Sequence, residues 1–156
     1  MTAKIKTVAI QKRDEELLEK LLILWRDCVE KTHDFLSKQD IENLTLIVKL
    51  AVKEIEILRV IFGADKIPLA FMGVSHNKIE MLFVSIEHRG RGIGKRLVAY
   101  ATDKLRVLYV DVNEQNVQAL EFYKKRGFKI FGRDEQDAFG GAFPILHLRK
   151  EPFLDK

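Results

Sequence analysis

The sequence predicts a mixed α/β domain whose sheet is mostly antiparallel, is flanked by helices and contains one central parallel pair of strands. Apolar residues recur at steps of three and four in several segments, which is typical of amphipathic helices. Shorter runs of apolar and branched residues between turn-forming residues are typical of strands. The resulting order is β-α-α-β-β-β-α-β-α-β-β, with a βαβ unit over residues 79–112. Such a unit joins parallel strands by a right-handed crossover, and we expect the other strands to pair antiparallel.

A short strand and two helices are expected first. Residues 5–10 form a short branched run that predicts a strand. The first helix starts at Asp14, and apolar side chains then follow a helical period. These side chains are Leu17, Leu18, Leu21, Leu22, Trp25, Cys28 and Val29. The same period predicts a second helix over residues 41–52.

An antiparallel hairpin and a third strand follow. Residues 55–62 and 69–74 are apolar runs, and Gly-Ala-Asp-Lys at 63–66 forms the turn between them. A further turn at 76–78 leads into a strand over residues 79–86.

The last third of the chain alternates between segments with a helical pattern and segments typical of strands. Ile93, Leu97, Ala101 and Leu105 step by four, which predicts a helix over residues 92–104. The remaining predicted elements are a strand at 107–112, a helix at 115–126 and strands at 128–131 and 143–148.

Composition limits the classes of protein that fit. The 156 residues include 27 Lys and Arg against 23 Asp and Glu, a net charge of +4, and contain no apolar run long enough to cross a membrane. The single cysteine, Cys28, excludes an intrachain disulfide and a cysteine-based zinc site. We therefore expect one domain over residues 1–156, located in the cytoplasm, with no metal and no membrane partner.

A glycine-rich segment predicts a phosphate site. Residues 88–95 read His-Arg-Gly-Arg-Gly-Ile-Gly-Lys, follow a predicted strand and open a predicted helix. Glycines let a backbone approach a ligand, and the free N–H groups of a helix start attract anions. A Walker loop is excluded because Arg89 stands where its first glycine belongs and Arg96 stands where its Ser or Thr belongs. The dinucleotide-binding pattern G-x-G-x-x-G does not match this segment either. A turn without a ligand is the alternative.

A second segment, Asn116 to Tyr123, ends with Gly127-Phe128 and predicts a helix with a glycine stop. Together the two segments resemble the GNAT superfamily of N-acetyltransferases. The loop pattern R/Q-x-x-G-x-G/A is matched by Arg89, Gly92 and Gly94. The helix pattern N-x-x-A-x-x-F/L-Y-x-x-x-G-F is matched by Asn116, Ala119, Phe122, Tyr123, Gly127 and Phe128. Residues 32–36 and 113–116 further resemble the bacterial YjaB-like group of this superfamily.

The resemblance implies that acetyl-CoA is the co-substrate. Its pantetheine arm would lie between splayed strands at 79–86 and 107–112, bonded by backbone groups of Leu82, Phe83 and Val84. Asn116 would also bind the arm. The pyrophosphate would rest on Arg89, Gly90, Arg91, Gly92, Ile93, Gly94 and Lys95. One departure is Ile86, where many members of the superfamily carry proline.

The resemblance also implies direct attack of a primary amine, from a small molecule, peptide or protein, on the thioester in a ternary complex. Tyr123 would donate a proton to the leaving thiolate. Asp111 ranks first as general base and Glu80 second, with a chain of waters as a third option. His33 and Phe35 would line the acceptor pocket.

Two other functions stay open at this point. A non-catalytic acetyl-CoA sensor or regulatory subunit would keep the loop without turnover. A nucleic-acid module is disfavoured because the basic residues are spread along the chain instead of clustered. A homodimer is possible, in which the last strand, 143–148, would cross to the partner.

Overall fold

The computed structural model describes residues 3–137 and 143–151. Within these ranges, the elements follow the predicted order. The strands are β1 (Ile5–Thr7), β2 (Ile57–Phe62), β3 (Pro68–Ser75), β4 (Lys78–Val84), β5 (Tyr109–Asn113), β6 (Phe128–Asp134) and β7 (Ile145–Lys150). The helices are α1 (Glu15–Thr32), α2 (Lys38–Glu54), α3 (Ile93–Lys104) and α4 (Val117–Lys125). No helix of this described part is long and apolar enough to cross a membrane.

The strands form one sheet in the order β1-β2-β3-β4-β5-β7-β6. Strands β4 and β5 are parallel, and every other neighbouring pair is antiparallel. The predicted fold class is therefore confirmed. Within this chain β7 pairs with β5 on one edge and with β6 on the other, and its exchange with a partner stays a prediction.

Two strand boundaries near the centre of the sheet differ from the prediction. Strand β4 ends at Val84 and not at residue 86, because the chain then turns into a short 3-10 helix at Ile86–His88. Strand β5 begins at Tyr109 and not at residue 107. The N–H of Val107 donates to the carbonyl of Ala101, so this residue closes the end of α3 instead of extending the strand.

Capping side chains set the starts of the first two helices. Asp14 accepts a hydrogen bond from the N–H of Leu17 and begins α1 as predicted. Ser37 and Asp40 form a reciprocal capping box at α2. Helix α2 therefore starts three residues before the predicted position. The prediction used the spacing of apolar residues, and the first apolar residue of this helix is Ile41.

The two faces of the sheet carry separate apolar cores. Helices α1 and α2 pack on one face, where Leu18, Leu21, Trp25, Leu58 and Phe71 are buried. Helices α3 and α4 pack on the other face. Buried residues there include Met72, Leu97, Ala101, Val110, Tyr123, Phe128 and Leu148.

A buried arginine joins the N-terminal segment to the end of α2. Arg13 is only 5% exposed. Its Nε donates to the carbonyl of Val8, and its Nη1 contacts the carbonyls of Val52, Lys53 and Ile55 at 3.1, 3.1 and 2.6 Å. Carbonyls at a helix C-terminus lack partners within the helix and carry partial negative charge, so the guanidinium satisfies them and complements the helix dipole.

We expect Arg13→Met to lower the free energy of unfolding by about 2–4 kcal/mol, because buried carbonyls at the end of α2 lose a charged donor. Urea unfolding followed by circular dichroism measures this loss. Lys31→Met is the control, since Lys31 forms an exposed pair with Asp27; it should leave the midpoint unchanged. Equal midpoints for Arg13→Met and the unmodified protein would contradict the assigned role.

Candidate functional site

The central parallel strands separate soon after they meet. Strands β4 and β5 pair only at Lys78 with Tyr109 and at Ile79 with Val110. On its other edge, β4 carries an irregularity: Met81 pairs with Gly73 and Ile79 with Val74, which leaves Glu80 as an extra residue. A bulge of this kind bends the strand that contains it. Beyond residue 80 the two strands therefore enclose an opening.

A cavity of about 600 Å³ occupies this opening. The predicted site residues on its wall are His33, Glu80, Leu82, Phe83, Val84, Arg89, Gly90, Gly92, Ile93, Gly94, Lys95, Asp111, Asn116 and Tyr123. Arg91 and Phe35 were also predicted site residues and do not line the cavity. Wall residues missed by the sequence analysis include Thr32, His88, Gln118, Phe122 and Arg126. Phe122 belongs to the helix pattern already matched, whereas Arg126 stands at an unspecified position of that pattern.

The edge of β4 presents peptide groups to the cavity. The N–H of Ser85 donates to the carbonyl of Leu69 on β3 at 2.8 Å. Peptide groups alternate in direction along an antiparallel strand, so those of Phe83 also face β3, whereas those of Leu82 and Val84 face the opening. The predicted backbone contacts therefore have a geometric basis at Leu82 and Val84, and Phe83 contributes to the wall by its side chain.

The glycine-rich loop forms a helix start whose N–H groups have no side-chain cap. Gly90 and Gly92 both have φ of +79°, a left-handed conformation that costs any other residue about 1–2 kcal/mol. Gly92 is the N-cap of α3, and no side chain caps the helix. Because the first N–H groups of a helix have no intrahelical acceptor, those of α3 are available to a ligand. The first turn contains no acidic residue, so it attracts negative charge.

Tyr123 lies in the cavity wall with only 6% of its surface exposed. Its ring packs edge-on against Phe122 and Phe128, at centroid distances of 5.1 and 5.6 Å. Within residues 3–137 and 143–151, its hydroxyl makes no hydrogen bond, and burial raises its pKa well above the ordinary value of 10. The phenol is thus protonated at neutral pH and suited to donate a proton into the cavity.

Asp111 is held by two donors. Its carboxylate contacts Lys78 Nζ at 2.5 Å and His147 Nδ1 at 2.7 Å. His147 lies directly across from Asp111 on β7, and its Nε2 contacts Asp134 at 2.7 Å. Asp111 and Asp134 raise the pKa of His147. Both carboxylate oxygens of Asp111 form contacts, which opposes its predicted role as a general base. Glu80, the second candidate, lies at the bulge and has an exposed carboxylate.

His33 connects the end of α1 with the start of α4. Its Nδ1 lies 2.8 Å from Thr32 Oγ1, and its Nε2 lies 3.4 Å from Asn116 Nδ2. Burial lowers the pKa of His33, and the positive charge of Arg89 lowers it further. Phe35 packs on the His33 ring at 5.2 Å and on Phe143 at 5.6 Å, so it supports the wall from outside.

Asn116 caps α4 and contacts the cavity at the same time. Its Oδ1 accepts a hydrogen bond from the N–H of Ala119 at 3.2 Å, which directs its Nδ2 toward His33. An amide nitrogen carries two N–H groups, so one is left for a ligand.

Known proteins are similar to this chain in sequence and in fold. A family model described as "Acetyltransferase (GNAT) domain" matches residues 47–130. The chain is 39% identical to the peptidyl-lysine N-acetyltransferase YjaB of Salmonella typhimurium, with 90% of this chain and 97% of that protein covered. The solution structure of apo-form YjaB from Escherichia coli superposes with a TM-score of 0.82 at 36% identity, covering 96% of this chain and 97% of that one.

A more distant structure shares the fold. The PaiA N-acetyltransferase of Thermoplasma acidophilum, solved in complex with coenzyme A, has a TM-score of 0.67 at 23% identity, with 94% of this chain and 98% of that one covered.

We expect the imidazole resonances of His33 and His147 to titrate on opposite sides of the ordinary histidine pKa of about 6.5, with His33 below and His147 above. NMR titration of the labelled side chains measures both midpoints. Asp134→Asn removes one of the two carboxylates on His147 and should lower its midpoint while leaving that of His33 unchanged. A common midpoint for both residues would contradict the described environments.

Proposed function

We propose that this chain, which belongs to the GNAT family of acetyltransferases, acetylates lysine side chains of peptides or proteins. The family resemblance inferred from the two motifs is thereby confirmed. Acetyl-CoA is the acetyl donor, and the chain is an N-acetyltransferase. The observation that supports acetyl transfer at this site is the opening between β4 and β5, which combines a strand edge, an uncapped helix start and a buried phenol.

The opening offers complementary groups to each part of the cofactor. The peptide groups of Leu82 and the N–H of Val84 would bond the amides of the pantetheine arm as a neighbouring strand would. The first turn of α3, with Ile93, Gly94 and Lys95, would receive the pyrophosphate. Arg89 on the same wall supplies countercharge, whereas Arg91 lies off the wall and would act only at a distance.

The chemistry requires a neutral amine, a polarised thioester and a proton for the leaving thiolate. The amine of the acceptor would attack the thioester carbon directly in a ternary complex, and the C–S bond would then break. Tyr123 would give its phenolic proton to the sulfur. Its place in the cavity wall supports this role, and its raised pKa means that the phenol carries its proton at neutral pH.

A lysine acceptor is supported by similarity and by charge. The relative from Salmonella typhimurium is named for peptidyl-lysine acetylation and matches 90% of this chain. In addition, the carboxylate of Glu80 lies on the cavity wall with no hydrogen-bond partner in the described ranges, so it favours the approach of an ammonium group. Location in the cytoplasm and assembly as a homodimer stay predictions.

We expect acetyl-CoA to bind saturably with one molecule per chain, and Gly92→Asp to abolish this binding. The added carboxylate would stand at the start of α3 and repel the pyrophosphate. Isothermal titration calorimetry measures the affinity. Gly127→Asp is the matched control, because it imposes the same charge and a left-handed strain (φ +96°) outside the cavity. No binding by the folded unmodified protein would refute the assignment of the cofactor site.

We expect Tyr123→Phe to lower kcat by about 10²–10⁴-fold, the usual contribution of general acid catalysis. Affinity for acetyl-CoA should be unchanged, because the ring packing is retained. Release of free CoA in the presence of a peptide with a blocked N-terminus and one lysine measures turnover. The same peptide with norleucine in place of lysine should be inert. A non-catalytic acetyl-CoA sensor would bind the cofactor and turn over neither peptide.

A further inference from the structure

We propose that His33 Nε2 is the atom that takes the proton from the acceptor amine, so that His33 is the general base of the reaction. The inference rests on the proposed acetyl transfer and adds a residue to it. Hydrogen bonds to the His33 ring determine which of its nitrogens carries the proton, and the ring lies in the cavity wall. The first candidate base, Asp111, is already bound to Lys78 and His147.

The hydrogen bonds around His33 specify one tautomer. The hydroxyl of Thr32 donates its single proton to the carbonyl of Cys28 at 2.7 Å. Thr32 Oγ1 must then act as acceptor toward the ring, so His33 Nδ1 carries the proton in the 2.8 Å contact between them. In the neutral ring, Nε2 is consequently left with a free lone pair.

The contact on the other side of the ring agrees with this pattern. Asn116 Oδ1 is occupied by the N–H of Ala119, which fixes the orientation of the amide and turns Nδ2 toward His33. An amide nitrogen only donates, so its partner Nε2 is an acceptor. The distance of 3.4 Å makes this a weak bond. An amine that enters the cavity can therefore replace Asn116 as the partner of Nε2.

The charged surroundings keep the ring neutral. Burial lowers the pKa of His33, Arg89 from the loop before α3 lowers it further, and Asp34 beside it in the chain opposes both effects. Asn116 and Phe35, which also contact the ring, carry no charge. Other titratable groups on the cavity wall are Glu80, His88, Lys95, Asp111, Tyr123 and Arg126. At neutral pH the imidazole is thus in the form that accepts a proton.

The protons balance across the reaction. The acceptor ammonium transfers one proton to His33 Nε2 and becomes a neutral amine, which forms a bond to the thioester carbon. The C–S bond then breaks, the second proton of the nitrogen is lost as the amide forms, and Tyr123 protonates the sulfur. That second proton restores the phenol, and His33 releases its proton to solvent, so one proton leaves for each amide formed.

The test is the pH dependence of kcat/KM with the single-lysine peptide. The unmodified enzyme should lose activity at low pH with a midpoint below 6.5, because protonation of His33 removes the base. His33→Gln should lower kcat/KM by about 10²–10⁴-fold and lose this acidic midpoint. His76→Asn, which removes a histidine from the turn between β3 and β4, should keep both the rate and the profile.

The outcomes separate the two proposals. An unmodified protein that binds acetyl-CoA and acetylates no lysine peptide would overturn the proposed function. A His33→Gln variant that binds acetyl-CoA with unchanged affinity and retains the rate and the acidic midpoint would overturn the role of His33 alone.

A measurement on the unmodified protein covers the case in which His33→Gln does not fold. Nitrogen-15 NMR of the imidazole at pH 7 should show a protonated Nδ1 and an unprotonated Nε2. Thr32→Val removes the acceptor for Nδ1 and should weaken this preference and lower kcat, with acetyl-CoA affinity unchanged. A proton on Nε2 in the unmodified protein would overturn the assignment.

Discussion

The separation of β4 from β5 after two residue pairs is the constraint on which the other features of the site depend. Helix α3 follows β4 and helix α4 follows β5, so both helices begin at the open end of this pair. The free N–H groups of α3 and the capping amide of Asn116 on α4 consequently face one space. In mixed and parallel sheets, ligands bind outside the carboxyl ends of strands for this same reason. The bulge at Glu80 bends β4 away and keeps the space from closing.

An opening in the middle of a sheet removes hydrogen bonds, and contacts from the α1 side hold its walls in place. Cys28 Sγ donates to the carbonyl of Val84 at 3.2 Å, where β4 ends. His33 and Asn116 join the end of α1 to the start of α4 across the mouth. The first helix is therefore part of the site even though the glycine loop and Tyr123 come from the second half of the chain. This arrangement brings His33, which lies outside both recognisable motifs, to the cavity wall.

The elements and the glycine-rich loop were predictable because their signals are local. Helical periods, turn residues and a glycine loop between a strand and a helix can each be seen within about fifteen residues, and the order of elements followed from them. The partners that define the site were not predictable, because they depend on register and packing. His33 and Asn116 are 83 residues apart, Asp111 and His147 are 36 apart, and Arg13 contacts carbonyls about 40 residues away. Asp111 ranked first as candidate base because its two partners cannot be identified from the sequence. Lys78 and His147 become its neighbours only when the sheet forms.

The contact between Cys28 and Val84 makes the thiol of Cys28 a probe of the separation of α1 from the end of β4. Cys28 is 1% exposed, and burial raises the pKa of its thiol to about 11. In the folded state the thiol is therefore shielded from reagents and stays protonated at neutral pH. An alkylating reagent can react only when α1 moves off the end of β4. The rate of modification of this single cysteine therefore reports how readily α1 separates from the end of β4, which forms part of the cavity wall.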